Sequence, residues 1–165
     1  MKTEFVKAVL PDDLNRLVAF EHKVFPKADW FPKREWEAYE SYWMVVDGGV
    51  AGCCAFEHNV DFDHSSDENP PLDGSLYIAS TGIGRRFQGQ GFGRLLKAWE
   101  IAYARHHGFT RIVTNHRASN EAIIRLNKAF GFRVLCRPKA IYYRDPEEPT
   151  VVMELRFDVS GLRHR

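Results

Sequence analysis

A mixed α/β fold is predicted by three features of the chain. An apolar run at residues 76–83 passes through Gln88-Gly89-Gln90-Gly91-Phe92-Gly93-Arg94 into an amphipathic segment at 92–107. Asp47-Gly48-Gly49 separates two apolar runs, and Val151, Met153, Leu155 and Phe157 alternate near the C-terminus. A strand–turn–helix unit, a hairpin and a further strand belong together in a sheet with helices packed on it. No repeat, linker or low-complexity stretch divides the 165 residues. One domain over 1–165 is therefore expected, long enough to bury a sizeable core.

The elements follow in order. Residues 5–10 read as a first strand ended by Pro11. Asp12 and Asp13 then fall in the first turn of a helix, where negative charge suits the dipole. Leu14, Leu17, Val18, Val24 and Phe25 continue that helix at roughly helical spacing. The aromatic, proline-broken stretch 25–32 is expected to be a loop, and 33–39 a second short helix. Strands at 42–46 and 50–56 flank the Asp-Gly turn, whose central positions need positive φ.

Residues 57–73 are polar and acidic, with Asp61, Asp63, Asp67 and Glu68 before Pro70-Pro71, and are expected to form a loop. Their D-x-D spacing is not a calcium loop, because the sixth position is Ser66 and the twelfth is Leu72. His58 and His64 lie beside these carboxylates, yet a solvated acidic loop without metal is the expectation.

In the helix at 92–107 the residues Phe92, Leu95, Leu96, Trp99 and Tyr103 share one stripe, expected to be core. Gly108 stops it. Residues 110–115 read as a buried strand and 120–130 as a helix ended by Gly131. Residues 132–136 and 140–144 are extended, as one strand interrupted near Pro138. A turn at 145–149 leads to the last strand at 151–157.

Composition sets the class. With 44% hydrophobic and 27% charged residues the chain reads as an ordinary soluble globular protein. A net charge of +1 gives no strong field toward nucleic acid or membrane. No N-terminal signal-type apolar region and no run of about 18 apolar residues is present. Cys53, Cys54 and Cys136 make no C-x-x-C pair, which suits a reducing, cytoplasmic setting. Cys53 and Cys54 read as small strand residues.

The glycine-rich turn carries the chemistry. Glycines before a helix start let backbone N–H groups point outward together, where they and the dipole hold a phosphate. A dinucleotide fingerprint would need glycine at position 94, which is Arg, and a P-loop would need Gly-Lys-Ser/Thr, which is absent. Gln88-x-x-Gly91-x-Gly93 instead resembles the acyl-CoA pyrophosphate loop, Q/R-x-x-G-x-G/A, of the GNAT superfamily of N-acyltransferases. Thr81-Gly82-Ile83 before it resembles the family's strand-to-loop passage. Asn120, Ile123, Asn127, Gly131 and Phe132 resemble its N-x-x-A/M-x-x-x-Y/N-x-x-x-G-F block, in the subset with Asn in place of the usual Tyr. The resemblance covers residues 76–135.

It implies a mostly antiparallel central sheet whose fourth and fifth strands splay apart, flanked by about four helices. Gly82 would suit a bulge there. It implies acetyl-CoA as cosubstrate and no metal. Pantetheine would pair with strand backbone at Thr81 and Ile83, and Gln88, Gly89, Gln90, Gly91, Phe92, Gly93 and Arg94 would wrap the pyrophosphate. Asn120 would sit near the pantetheine amide or phosphate, or cap the helix that follows.

The implied reaction is direct attack of a primary amine on the thioester, with an N–H near Ile83 as oxyanion donor. Base candidates are Glu57, His58 and Tyr77. Asn127 stands at the acid position, where it can donate a hydrogen bond to sulfur but no proton. Tyr142 or Tyr143 could substitute. The acceptor is an unidentified small-molecule or peptide amine. Phe25-Pro26 and the tryptophans after it resemble acetyltransferases of protein N-termini, and the acidic residues suit a cationic amine. Nucleic acid and membrane are not expected as partners, and homodimerisation stays open. A non-catalytic acyl-CoA-binding or sensing domain is the alternative, favoured by the missing tyrosine at 127.

Overall fold

The computed structural model describes residues 1–58, 74–136, 142–143 and 146–157. The acidic stretch with Asp61, Asp63, Asp67 and His64 lies outside the described residues, as does the expected break at Pro138. The chain divides into two compact units, residues 1–57 with 78–97, and residues 58–77 with 98–165.

The first unit begins with β1 (Thr3–Lys7), α1 (Leu14–Val24), a 3₁₀ turn (Lys27–Asp29) and α2 (Lys33–Ala38). Next come β2 (Glu40–Val46), β3 (Gly49–His58) and β4 (Ser75–Ile83), whose residues from Ile78 belong to this unit. The strands run in the order β1-β2-β3-β4. β1 pairs antiparallel with β2, Phe5 opposite Met44, and β2 with β3, Tyr42 opposite Cys54. The hairpin turn has Asp47 at φ 46 and Gly48 at φ 81, as its sequence requires. Leu14, Leu17, Trp36, Trp43, Cys53 and Ala55 form one core cluster.

Two expectations shift here. The first strand ends at Lys7, and the first turn of α1 holds no acidic residue. Asp13 stands at the cap position without capping. Its carboxylate accepts from the Val9 N–H at 2.9 Å and pairs with Arg16. The backbone donor left at the end of the strand competes for the carboxylate, and that hydrogen bond, ahead of the pairing with Arg16, holds it below its usual pKa.

The second unit contains the first residues of β4 and α3 (Phe92–His106) from Ala98 onward. β5 (Arg111–Arg117), α4 (Glu121–Ala129), β6 (Arg133–Cys136), β7 (Tyr142–Tyr143) and β8 (Glu148–Arg156) follow. Its strand order is β4-β5-β8-β6. β8 pairs antiparallel with β5, Met153 opposite Thr114, and separately with β6 and with β7.

The alternation expected along β8 is replaced by continuous burial from Thr150 to Glu154. A strand flanked on both edges and covered on both faces has no solvent side for polar residues. Glu154 is accommodated by Arg133 at 2.7 Å, Arg156 at 3.0 Å and Arg111 at 3.6 Å. The stripe on α3 also differs from expectation. Phe92, Leu96 and Tyr103 are buried, but Leu95 is 40% exposed while Lys97 and Glu100 are covered. The buried face is turned toward Leu96 and Ala104, which leaves Leu95 at its edge. Among the described residues no helix is long and apolar enough to cross a membrane.

Candidate active site

The turn after β4 is braced from within. Gly84 N donates to Ala51 O at 2.8 Å, and a 3₁₀ turn at Arg85–Phe87 follows. The Gln88 side chain donates to Ile83 O at 2.9 Å, and the Gln90 side chain to Arg86 O at 2.7 Å. Both amides are thus spent on the turn itself. Gly89 and Gly91 have φ of 73 and 87, and a Cβ on either would meet nothing within 4 Å among the described residues. Left-handed residues at alternate positions turn backbone N–H groups toward one concavity. Leu95 N donates to Gly91 O at 3.1 Å, and the first turn of α3 carries no acidic side chain. The N–H groups before Leu95 lack helical acceptors. Open space, left-handed glycines and an acid-free helix start fit an anionic ligand.

Upstream, Thr81 and Ile83 are half-buried on β4. At Gly82 a Cβ would be crowded, 3.1 Å from the Phe25 ring and 3.3 Å from Phe20. Gly52 on β3 faces it, and a Cβ there would lie 2.9 Å from Gly82 O. Close approach of aromatic rings and of the neighbouring strand explains this glycine pair.

Glu57 is half-buried near the end of β3, close enough to Tyr39 that its charge helps keep that phenol protonated. Burial is the main cause of the raised Tyr39 pKa, followed by Glu35, which accepts its hydroxyl. His58 belongs to the second unit and is exposed, its ring edge-on to Phe109 at 5.0 Å.

The remaining expected residues lie in the second unit. Asn120 caps α4 by accepting from Ile123 N at 3.4 Å. Tyr77 OH donates to Asn115 Oδ1 at 2.6 Å. Asn127 is fully buried; its Nδ2 lies 2.9 Å from His116 Nε2 and 3.8 Å from the Met153 sulfur. Its Oδ1 has no hydrogen-bond partner among the described residues. The side chains of Tyr142 and Tyr143 lie outside what is described.

Comparison with known proteins decides what this arrangement belongs to. Residues 12–132 match the model of the acetyltransferase (GNAT) family. The chain belongs to the GNAT acetyltransferase family. Its mixed α/β fold is that of solved structures. The ribosomal-protein-S18-alanine N-acetyltransferase from Escherichia coli is similar over 99% of both chains, at a TM-score of 0.75 and 19% identity. The ribosomal-protein-alanine N-acetyltransferase from Brucella melitensis is similar over 93% of this chain and 99% of its own, at 0.68 and 18%. The protein yncA from Salmonella typhimurium, solved with its cofactor acetyl-CoA, is similar over 96% and 95%, at 0.70 and 20%. At these identities the likeness carries the fold alone. No curated protein sequence matches the chain. As a GNAT member the protein is an acyltransferase enzyme, and acetyl-CoA is the family's acyl donor.

Three features are not readable from the sequence pattern alone. Glu21 is 1% exposed and accepts from Phe31 N at 2.8 Å and from Trp36 Nε1 at 3.0 Å. Burial raises its carboxyl pKa, against the lowering effect of those two bonds. Its spacing from Leu14 and Leu17 is the one signal that could have found it, since Glu21 continues their buried stripe. His116 beside Asn127 has no signal beyond its place on a strand. The adjacent Arg85-Arg86 and Lys23 meet only in three dimensions, at a cavity of about 720 Å³.

Proposed function

We propose that the protein is an N-acetyltransferase that moves the acetyl group of acetyl-CoA to a primary amine by direct attack. The open, left-handed glycine turn before the acid-free start of α3 is the observation that carries this reading. Backbone N–H groups of Gly89 to Gly93 and the first turn of α3 would hold the diphosphate, with Arg94 adding charge. Gln88 and Gln90 keep the turn in shape by bonding to Ile83 and Arg86. Thr81 and Ile83 would offer strand backbone to pantetheine. Asn120 caps its helix, and its contact with the cosubstrate remains part of the proposal.

In the reaction the amine lone pair forms the new C–N bond at the thioester carbonyl, while the C–S bond breaks and sulfur leaves as thiolate. Glu57 is the proposed acceptor of the ammonium proton, and a strand N–H near Ile83 the oxyanion donor. Asn127 has no titratable proton, and we read it as acting through His116. Neutral His116 accepts from its amide N–H; a protonated imidazole would need an acceptor, and Oδ1 is unused. Turning the amide over serves either state. His116 is then the proposed proton donor to the thiolate.

The acceptor is a primary amine, in a small molecule or at a peptide N-terminus. Two structural neighbours are ribosomal-protein-alanine N-acetyltransferases, which supports an α-amine. Such an amine has a pKa of about 7.7–8.0 and asks little of a base. Residues 1–165 as a whole are read as serving this one reaction, and Cys53 and Cys54, both buried and outside any disulfide, support a cytoplasmic setting. Thiol release from acetyl-CoA across a panel of amines is the test. Amine-dependent release is expected; acetyl-CoA binding without turnover would instead favour a non-catalytic binding domain.

A further inference from the structure

A cavity of about 720 Å³ opens in the first unit between the end of α1, the start of β3 and the turn at Arg85–Phe87. Phe20, Val24, Val50 and Phe87 give it an apolar base. Among the described residues its charged lining is basic: Lys23, Arg85 and Arg86, with His22 beside them. Among the described residues no carboxylate pairs with these three cations. Arg86 lies over the Phe87 ring at 4.6 Å, and a Cβ on Gly49 would come within 3.1 Å of its guanidinium. His22 is stacked on Trp30 at 3.6 Å. Arg86 and His22 are thus held by aromatic contacts, while the charges of Lys23, Arg85 and Arg86 meet no carboxylate among the described residues.

The cavity lies within the usual size range of small-molecule sites. Three cations over an apolar base, with no carboxylate partner among the described residues, select an anion attached to an apolar body. Two sources of such an anion exist, the nucleotide end of the acyl donor and the acceptor. The glycine turn already supplies backbone donors for the donor's diphosphate, and none of its residues from Gln88 to Arg94 lines the cavity. Phe20 lines the cavity and also covers Gly82 on β4, the strand proposed to hold the thioester arm.

Building on the proposed acetyl transfer, we infer that this cavity binds an acidic group of the acceptor, so that the enzyme prefers amines bearing a carboxylate or phosphate. The class is opposite to the cationic amines that the acidic segment of the sequence suggested. The lining cations lower KM for such acceptors by direct pairing and leave donor binding to the glycine turn.

Steady-state thiol release should be measured with a glutamate-initiated dipeptide, its glutamine counterpart and a diamine, for wild type and for Arg85→Gln/Arg86→Gln. The wild type should favour the glutamate dipeptide, and the double variant should lose at least tenfold in kcat/KM for it alone. Acetyl-CoA affinity by calorimetry should stay within twofold. Arg85→Glu/Arg86→Glu should shift preference toward the diamine. A rise in acetyl-CoA KM with unchanged acceptor KM would assign the cavity to the donor and overturn the inference. Equal rates with all three amines, unaffected by either variant, would overturn it as well, while leaving acetyl transfer intact. Should acetyl-CoA bind with no amine turned over, the failure belongs to the enzymatic reading. Calorimetric titration with the glutamate dipeptide then decides: binding lost in the double variant supports the site, and no binding at millimolar concentration overturns it.

Discussion

The carboxylate of Glu21 accepts the indole N–H of Trp36 at 3.0 Å across fifteen residues of sequence, with both side chains buried. Its other oxygen accepts from Phe31 N at 2.8 Å. One acid on α1 thereby holds Phe31, just ahead of α2, and Trp36 within it. Replacement by alanine would leave two buried donors without acceptors. Glu21→Ala should lower unfolding free energy by roughly 2–6 kcal/mol, from about 1–3 kcal/mol for each orphaned group. Urea denaturation checks this, and a loss under about 1 kcal/mol would contradict the clamp.

Glu21 also gives a pH prediction. Its folded pKa is raised above the ordinary 4.5 by burial, so the folded protein holds this proton more tightly than the unfolded chain. Its contribution is fully present below the unfolded value and is lost as pH rises through the folded one. Glu21→Gln cannot titrate and satisfies one of the two donors. The stability gap between wild type and Glu21→Gln should therefore be widest at acidic pH and narrow as pH rises above 4.5. Thermal melts across that range would contradict this if the gap widened.

Local backbone demands are legible in the amino-acid sequence, and contacts between distant elements are not. Asp47-Gly48 announces its hairpin because both positions take positive φ, and few other pairs tolerate that. Gly89 and Gly91 announce their turn for the same reason. The role of Gly82 is not legible, because the rings of Phe20 and Phe25 that would crowd a Cβ arrive from another element. Nor is the continuous burial of β8, since apolar alternation cannot tell that both faces are covered. Glu21 is hidden by its own chemistry: an acid on an apolar stripe reads as solvent-facing until its donors are seen. Lys23 and Arg85 are silent because charge at a distance in sequence carries no geometry.

Gly52 and Gly89 separate packing from backbone strain. Gly52→Ala places a Cβ 2.9 Å from both Gly82 O and Ile83 Cδ1, and overpacking of that kind costs about 1–3 kcal/mol. Gly89→Ala meets nothing within 4 Å among the described residues, and only its positive φ opposes it, at about 1 kcal/mol. Denaturant midpoints should fall for both. An unchanged midpoint for Gly52→Ala would show that β3 and β4 are not fitted at this point.

His116 and Asn127 predict a split between turnover and binding. If His116 is the proton donor, His116→Gln should lower kcat by about 100-fold while acetyl-CoA still binds. Asn127→Leu removes both the donor and the acceptor that face the imidazole, and should lower kcat by a smaller factor while leaving acetyl-CoA affinity unchanged. Steady-state rates with calorimetric titration of acetyl-CoA for the two variants are the measurement. A wild-type kcat in His116→Gln would remove His116 from the chemistry.

The role of the glycine turn is tested most directly by calorimetric titration of CoA into wild type, Gly91→Asp and Gly91→Asn. Both variants carry the strain of a side chain at φ 87, and only the aspartate adds negative charge where the diphosphate is proposed to lie. CoA affinity should fall by more than tenfold, or over about 1.4 kcal/mol, in Gly91→Asp, and by less in Gly91→Asn. Wild-type affinity in a folded Gly91→Asp protein would contradict the assignment of this turn to the acyl donor.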